Sequence, residues 1–164
     1  MKLILVGLPG SGKSTVGKLV ARQLNLPFVD ADRFLEQQIG RRIPEIFASD
    51  GEEAFRALES RILRQLCAGE DMVLSTGGGA VLRQENRELL RRSGLVIFLD
   101  RSPWAIRRTL KTSNRPVITD EEAIFRLSRQ RRGLYRACAM RSVNAPTAKK
   151  AAEKVCAIWK EQQA

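Results

Sequence analysis

The sequence predicts an α/β fold in which a five-stranded parallel sheet carries helices on both faces, and three observations predict it. Strand and helix signals alternate from end to end, the pattern of a parallel sheet covered by helices. The longest apolar stretches, Leu3–Leu8 and Leu95–Leu99, are short runs suited to buried strands. The first of them also leads into a glycine-rich turn that opens a helix.

Taken in order, the strand candidates are Lys2–Val6, Pro27–Asp30, Met72–Ser75, Leu95–Leu99 and, with a weaker signal, Arg141–Val143. Between them, apolar residues recur at spacings of three and four. Val16, Leu19, Val20 and Leu24 mark one helix, and Phe55, Leu58, Ile62, Leu63 and Leu66 mark another. A further helix begins near Pro103, and Ala148–Lys160 is helical in character, with Ala152, Val155, Ala157, Ile158 and Trp159 as its apolar surface. Gly40, Asp50-Gly51 and Ser93-Gly94 punctuate these elements. The polar, proline-bearing segment Lys111–Pro116 reads either as a surface loop or as a lid. With no repeat, low-complexity tract or linker, residues 1–164 are expected to form one domain. In it, helices at about 31–67 serve an acceptor and a lid occupies about 111–120.

Composition bounds the chemistry. A chain of 164 residues, 43% of them hydrophobic, buries roughly 70% of its unfolded surface. No run approaches the about 20 apolar residues that span a bilayer, and Met1-Lys2 leaves no room for a signal peptide. A soluble, cytoplasmic protein without membrane contact is expected. Cys67, Cys138 and Cys156 are widely spaced and there is no histidine. That pattern fits neither a zinc site nor a disulfide framework, and it excludes mechanisms built on an imidazole base. The net charge of +11 suits either a nucleic-acid surface or sites for phosphate and carboxylate ligands. With only 5% aromatic residues, stacking platforms for single strands are poorly supplied, so no nucleic-acid partner is expected.

Gly7-Leu8-Pro9-Gly10-Ser11-Gly12-Lys13-Ser14 is a complete GxxxxGK[ST] motif in the strand–turn–helix context that it requires. Its glycines let successive backbone N–H groups face phosphate oxygens, and the helix that follows adds its positive end. Gly10, Ser11, Gly12, Lys13, Ser14 and Thr15 are therefore the nucleotide cradle. Lys13 would reach the β- and γ-phosphates, and Ser14 Oγ would ligate Mg²⁺. The motif makes the fold a P-loop NTPase-type three-layer sandwich and implies a nucleoside triphosphate, without saying what is done with it.

Asp30 and Asp32 stand at the end of the second strand, and in an open parallel sheet ligands bind beyond the carboxyl ends of strands. If the segment is extended, both side chains point the same way. One carboxylate could then hold a metal-bound water while the other orients and deprotonates an attacking hydroxyl. Helix N-capping is the alternative.

From here the chain resembles the shikimate kinases. Asp30-Ala31-Asp32 looks like their DxD. It is followed in order by Gly40, Ile43, Glu45-Ile46-Phe47, Gly51-Glu52, Phe55-Arg56, Glu59, Ser75-Thr76-Gly77-Gly78-Gly79, Arg115-Pro116 and Leu134-Tyr135. The likeness runs from about Leu3 to Tyr135 and rests on this order and spacing. It implies strand order 2-3-1-4-5 and transfer of the ATP γ-phosphate to the 3-hydroxyl of shikimate, with Mg²⁺, by a monomer.

The resemblance also assigns residues. Helical spacing lets Glu52 and Glu59 flank Arg56, which alone could be a surface salt-bridge ladder. The resemblance implies that Arg56 binds the shikimate carboxylate and that Glu59 orients it. Gly77, Gly78 and Gly79 permit close backbone approach to a ligand, or else form a flexible turn. In the family this segment touches substrate and replaces an aspartate-bearing Walker B strand. Met72–Thr76 contains no acidic residue, which leaves Asp30 as the metal-side carboxylate and Asp32 as the substrate-side one. Arg115 matches the lid arginine that folds over the phosphates, and Arg131, crowded by Arg129 and Arg132, matches a second substrate arginine. Arg108 matches an adenine-stacking position. Lys13, Asp32 and Arg115 form the catalytic set, while Phe47 and Phe55 are either pocket walls or core. Arg115-Pro116-Val117-Ile118 in place of RPLL, the segment after Tyr135, and the loop at Asn144-Ala145-Pro146 depart from the family pattern. The nearest rival is another small P-loop kinase, for gluconate or a nucleoside monophosphate. A nucleic-acid-binding P-loop protein is the rival from another class.

Overall fold

The structure, a computed structural model, describes residues 1–109 and 122–164. Five strands, β1 (Lys2–Val6), β2 (Phe28–Asp30), β3 (Val73–Ser75), β4 (Gly94–Leu99) and β5 (Arg141–Val143), form one sheet of order β2-β3-β1-β4-β5 in which every pairing is parallel. The strand order is the one expected, and the strand bounds differ from the sequence reading by one residue at most. Pro27 and Met72 fall outside regular strand, yet their carbonyls still accept from Val73 (2.8 Å) and Leu3 (3.0 Å).

Alternation along β1 divides the core into two layers, because successive side chains of a strand face opposite sides. Leu3 and Leu5 pack with Val73, Leu95, Ile97 and Leu99 against α1 (Lys13–Leu24) and α8 (Ala148–Gln163). Ile4 and Val6 pack with Leu74, Val96 and Phe98 against the helices of the other face. Those are α2 (Ala31–Ile39), α3 (Ile43–Asp50), α4 (Glu52–Ala68), α5 (Gln84–Ser93), α6 (Pro103–Thr109) and α7 (Ala123–Cys138). All of β1 is buried, which explains why its five residues include no polar side chain beyond Lys2. Even there the Lys2 ammonium reaches the Gly69 carbonyl at 2.6 Å.

Each predicted break ends a helix. Gly40 closes α2, Gly51 separates α3 from α4, and Gly94 follows α5 directly into β4. One expectation needs correction. Asp30 ends β2, but Ala31 already begins α2, so Asp32 lies in the first helical turn and not on an extended continuation. Among the described residues no helix is long and apolar enough to cross a membrane.

Candidate active site

The carboxyl ends of β1, β3 and β4 meet at the phosphate loop. Between β1 and α1 the backbone turns through left-handed conformations at Gly10 (φ 77°) and Gly12 (φ 92°), a region that residues with a Cβ rarely enter. Gly12 is the N-cap of α1 and offers no capping side chain, so the first-turn N–H groups are left for a ligand. Lys13 is buried, and its ammonium donates to the carbonyls of Gly7 and Leu8, both at 2.8 Å. The Ser14 hydroxyl donates to Asp30 Oδ2 and lies 3.4 Å from Ser75 Oγ. A cavity of about 270 Å³ above the loop is lined by Lys13, Ser14, Asp30, Asp32, Thr76 and Arg101, among others.

Asp30 is both the cap of α2 and the partner of the P-loop serine. Its Oδ1 caps α2, accepting from the backbone N–H of Asp32 (3.1 Å) and Arg33 (3.2 Å), while Oδ2 takes the Ser14 hydroxyl. The cap orients the carboxylate toward the P-loop serine. Ser14 and Asp30 together offer hard oxygen donors of the kind that magnesium takes from a protein. Among the described residues no group of three acidic, cysteine or histidine side chains is placed to hold a metal ion. Asp32 lies farther along, near the third strand's glycines. A Cβ on Gly77 would sit 2.7 Å from Asp32 Oδ1 and 2.9 Å from Glu59 Oε1.

Beside the phosphate cavity opens a larger one of about 610 Å³, and Gly10, Ser14, Asp30, Asp32 and Gly78 line both. Arg56 on α4 and Arg131 on α7 form its cationic wall. The Arg56 side chain is 8% exposed and that of Glu59 5%, with Nη1 donating to Glu59 at 2.8 Å. Glu52, whose side chain is 57% exposed, is held more loosely at 3.4 Å. A surface ladder is thereby ruled out. Arg56 Nε, Glu59 Oε1, and Nε and Nη1 of Arg131 are buried without hydrogen-bond partners among the described residues. Each such orphan costs about 1–3 kcal/mol, and their concentration on one cavity marks a place that awaits a polar ligand. Burial pushes the Glu59 carboxyl up, opposed by Arg56, Arg131 and Arg83. Arg129 and Arg132 are exposed, and Arg132 pairs with Asp100 at 2.9 Å, so Arg131 is the member of that crowd that faces the cavity.

The aromatic residues turn out to be core and wall together. Phe55 is 4% exposed, packs 4.8 Å from Phe47, and both line the cavity beneath the Arg56 guanidinium, which stands 5.1 Å and 6.0 Å from their ring centres.

The three glycines are required for room. None of them has left-handed φ. A Cβ on Gly79 would fall inside the Arg56 guanidinium, and one on Gly78 would meet the Pro9 ring at 2.7 Å. The segment is also pinned. Thr76 bonds twice to the Leu5 carbonyl (3.1 and 3.0 Å), Asn86 Nδ2 holds the Ala80 carbonyl at 3.0 Å, and Tyr135 Oη donates to the Gly78 carbonyl at 2.6 Å. Tyr135 is wholly buried on Phe98, and burial raises its phenol to about 12, so it remains a donor.

Three features were not anticipated as site residues. Arg33, Glu36 and Arg42 line the larger cavity. Arg101, just past β4, lines the phosphate cavity. It also lines a second cleft of about 210 Å³ between Thr15 and the loop Asn144–Thr147. Tyr135 was noted only as part of a motif. Arg108 is exposed on α6, its Nε 3.5 Å from the Trp104 carbonyl, and it does not line that second cleft. Arg115 and the lid at about 111–120 lie outside the described residues.

Comparisons with known proteins agree with this geometry. A family model described as shikimate kinase matches residues 9–160. A shikimate kinase from Symbiobacterium thermophilum is 47% identical over 130 residues, covering 77% of this chain and 75% of that protein. Among solved structures, a shikimate kinase from Acinetobacter baumannii in complex with shikimate superimposes with a TM-score of 0.93 at 34% identity, covering 98% of this chain and 93% of that one. A gluconokinase from Sinorhizobium meliloti shares the fold alone, with a TM-score of 0.60 at 16% identity.

Proposed function

Since the chain belongs to the shikimate kinase family, we propose that it transfers the γ-phosphate of ATP to the 3-hydroxyl of shikimate. The observation that carries this reading is a pair of buried arginines, with donors unpartnered among the described residues, in a cavity that runs into the phosphate loop past Asp32.

The cyclic carboxylic acid enters the larger cavity with its carboxylate on Arg56 and Arg131. Glu59 holds the Arg56 fork in place through Nη1, which leaves Nε for the ligand. A planar guanidinium recognises a carboxylate at two points and so fixes the rotation of the ring as well as its position. The Gly77–Gly79 backbone lies against the ring, pinned by Tyr135 and Asn86. Positioned in this way, a hydroxyl faces the phosphate loop and Asp32 orients it and accepts its proton. On the other side Lys13 leaves the Gly7 and Leu8 carbonyls for the β- and γ-phosphates. Ser14 and Asp30 would hold magnesium, which supplies neutralisation of phosphate charge when bound. Arg115, by the family resemblance, adds a further cation from the lid; Arg108 is matched to an adenine contact by that resemblance alone, since it does not line the cleft at Asn144–Thr147. Among the described residues only Met1, Trp104 and Met140 are exposed large hydrophobic side chains, which supports a monomer. The unpaired Cys67, Cys138 and Cys156 suit a reducing cytoplasm.

Arg56→Lys tests the reading. An ammonium carries the charge but cannot reproduce the two-point contact. The Michaelis constant for shikimate is expected to rise at least about 10-fold while that for ATP stays within about two-fold, since a charge-assisted contact is worth on the order of 1.5–3 kcal/mol. Unchanged constants for both substrates in steady-state kinetics would remove Arg56 from the acceptor site.

A further inference from the structure

Among the described residues Arg101 is the one charged side chain that lines both the phosphate cavity and the cleft at Asn144–Thr147. Gly12 and Thr15, the other residues shared by the two, belong to the P-loop itself. Any nucleotide with its β- and γ-phosphates in the cradle and its base in that cleft must pass its α-phosphate across this junction.

The backbone there is fixed. The Asp100 N–H donates to Val143 at 2.9 Å and that of Arg101 to Leu99 at 3.1 Å, so the arginine projects from the carboxyl end of β4 toward the loop. The neighbouring carboxylate does not neutralise it, because Asp100 is engaged by Arg132 at 2.9 Å and Arg136 at 3.6 Å on α7. Arg101 pairs with no carboxylate among the described residues. Its Nη1 instead donates to the Gly10 carbonyl at a long 3.3 Å. A guanidinium has five N–H donors. A cation that spends one of them on a peptide carbonyl, beside a cavity shaped for phosphates, is poised to exchange that weak contact for a charged one.

We propose that Arg101 is a further nucleotide-binding residue of this kinase, contacting the phosphate between the base cleft and the cradle and supplementing Lys13. The proposal rests on the reading of the site as a nucleotide site and is independent of which acceptor is phosphorylated. It also assigns a role to a side chain outside the P-loop motif, from a strand end that carries no recognisable signature.

Calorimetric titration of the full chain with ADP tests it, using Arg101→Gln and Arg101→Lys. Glutamine keeps a donor able to reach a carbonyl but has no charge, whereas lysine keeps the charge. Arg101→Gln is expected to weaken ADP binding at least about 10-fold, the size of one charge-assisted contact. Arg101→Lys is expected to recover most of that loss, the melting temperature of the ligand-free chain should hold, and the Michaelis constant for shikimate should stay within about two-fold. ADP affinity within two-fold of the parent in Arg101→Gln overturns the proposal. So does an equal loss in Arg101→Lys, because the positive charge would then not be what the nucleotide requires. If the parent chain binds ADP but phosphorylates no shikimate, the acceptor reading falls while the Arg101 result is still decided by the same titration.

Discussion

In Asp32→Asn, turnover with shikimate falls by about 10²–10⁴-fold, the usual contribution of a positioned general base, while ATP with Mg²⁺ still binds. The amide keeps the shape of the carboxylate but cannot accept the hydroxyl proton. The structure sharpens the contrast with its neighbour. Asp30 is tied to Ser14 through Oδ2 and caps α2 through Oδ1, whereas Asp32 lies against Gly77, where the acceptor cavity begins. Asp30→Asn therefore keeps a capping oxygen but raises the Mg²⁺ concentration needed for half-maximal rate. Titration of Mg²⁺ against both variants separates the roles. Rescue of Asp32→Asn by excess Mg²⁺, with no rescue of Asp30→Asn, would reverse them.

The second large effect is expected at Lys13. Lys13→Ala removes the one cation that the P-loop itself supplies to the transferring phosphate, and transfer should drop by at least about 10²–10³-fold, the cost of deleting a preorganised electrostatic partner. The variant should fold. Its losses in the ligand-free state include the hydrogen bonds to the Gly7 and Leu8 carbonyls, in a loop whose turn is set by its glycines. Circular dichroism and the melting temperature check the fold, and single-turnover kinetics check the transfer. A folded Lys13→Ala chain with near-normal turnover would mean that the loop is not a phosphate cradle.

The fold was legible because its cues are local. The apolar runs of β1 and β4, the glycine breaks and the P-loop all lie within a few residues of the structure they dictate. The short edge strands were visible for the same reason, bounded by polar residues and turns. The Asp30–Asp32 pair shows where a local cue misleads. Strand alternation suggested a shared face, but Asp30 is itself a good N-cap and turns the chain into α2 one residue later.

Burial of Arg56 could have been inferred from spacing. Glu59 falls four after Phe55 and three before Ile62, on the buried stripe of α4, and a carboxylate there needs a partner. Arg131 likewise lies four from both Leu127 and Tyr135 on the buried side of α7, which distinguishes it from Arg129 and Arg132. The contacts of Tyr135 with Gly78 and of Arg101 with Gly10 join residues 57 and 91 positions apart. No periodicity encodes such pairings. They come only from the order in which the strands are laid side by side.

The central claim is the identity of the acceptor, and a coupled ADP-release assay across shikimate, gluconate and nucleoside monophosphates tests it most directly. The account predicts ADP release that depends on shikimate and saturates with it, with gluconate and the nucleotides close to the acceptor-free rate. Turnover of gluconate or a nucleoside monophosphate at a rate matching or exceeding that of shikimate, or ADP release indifferent to any acceptor, would contradict it.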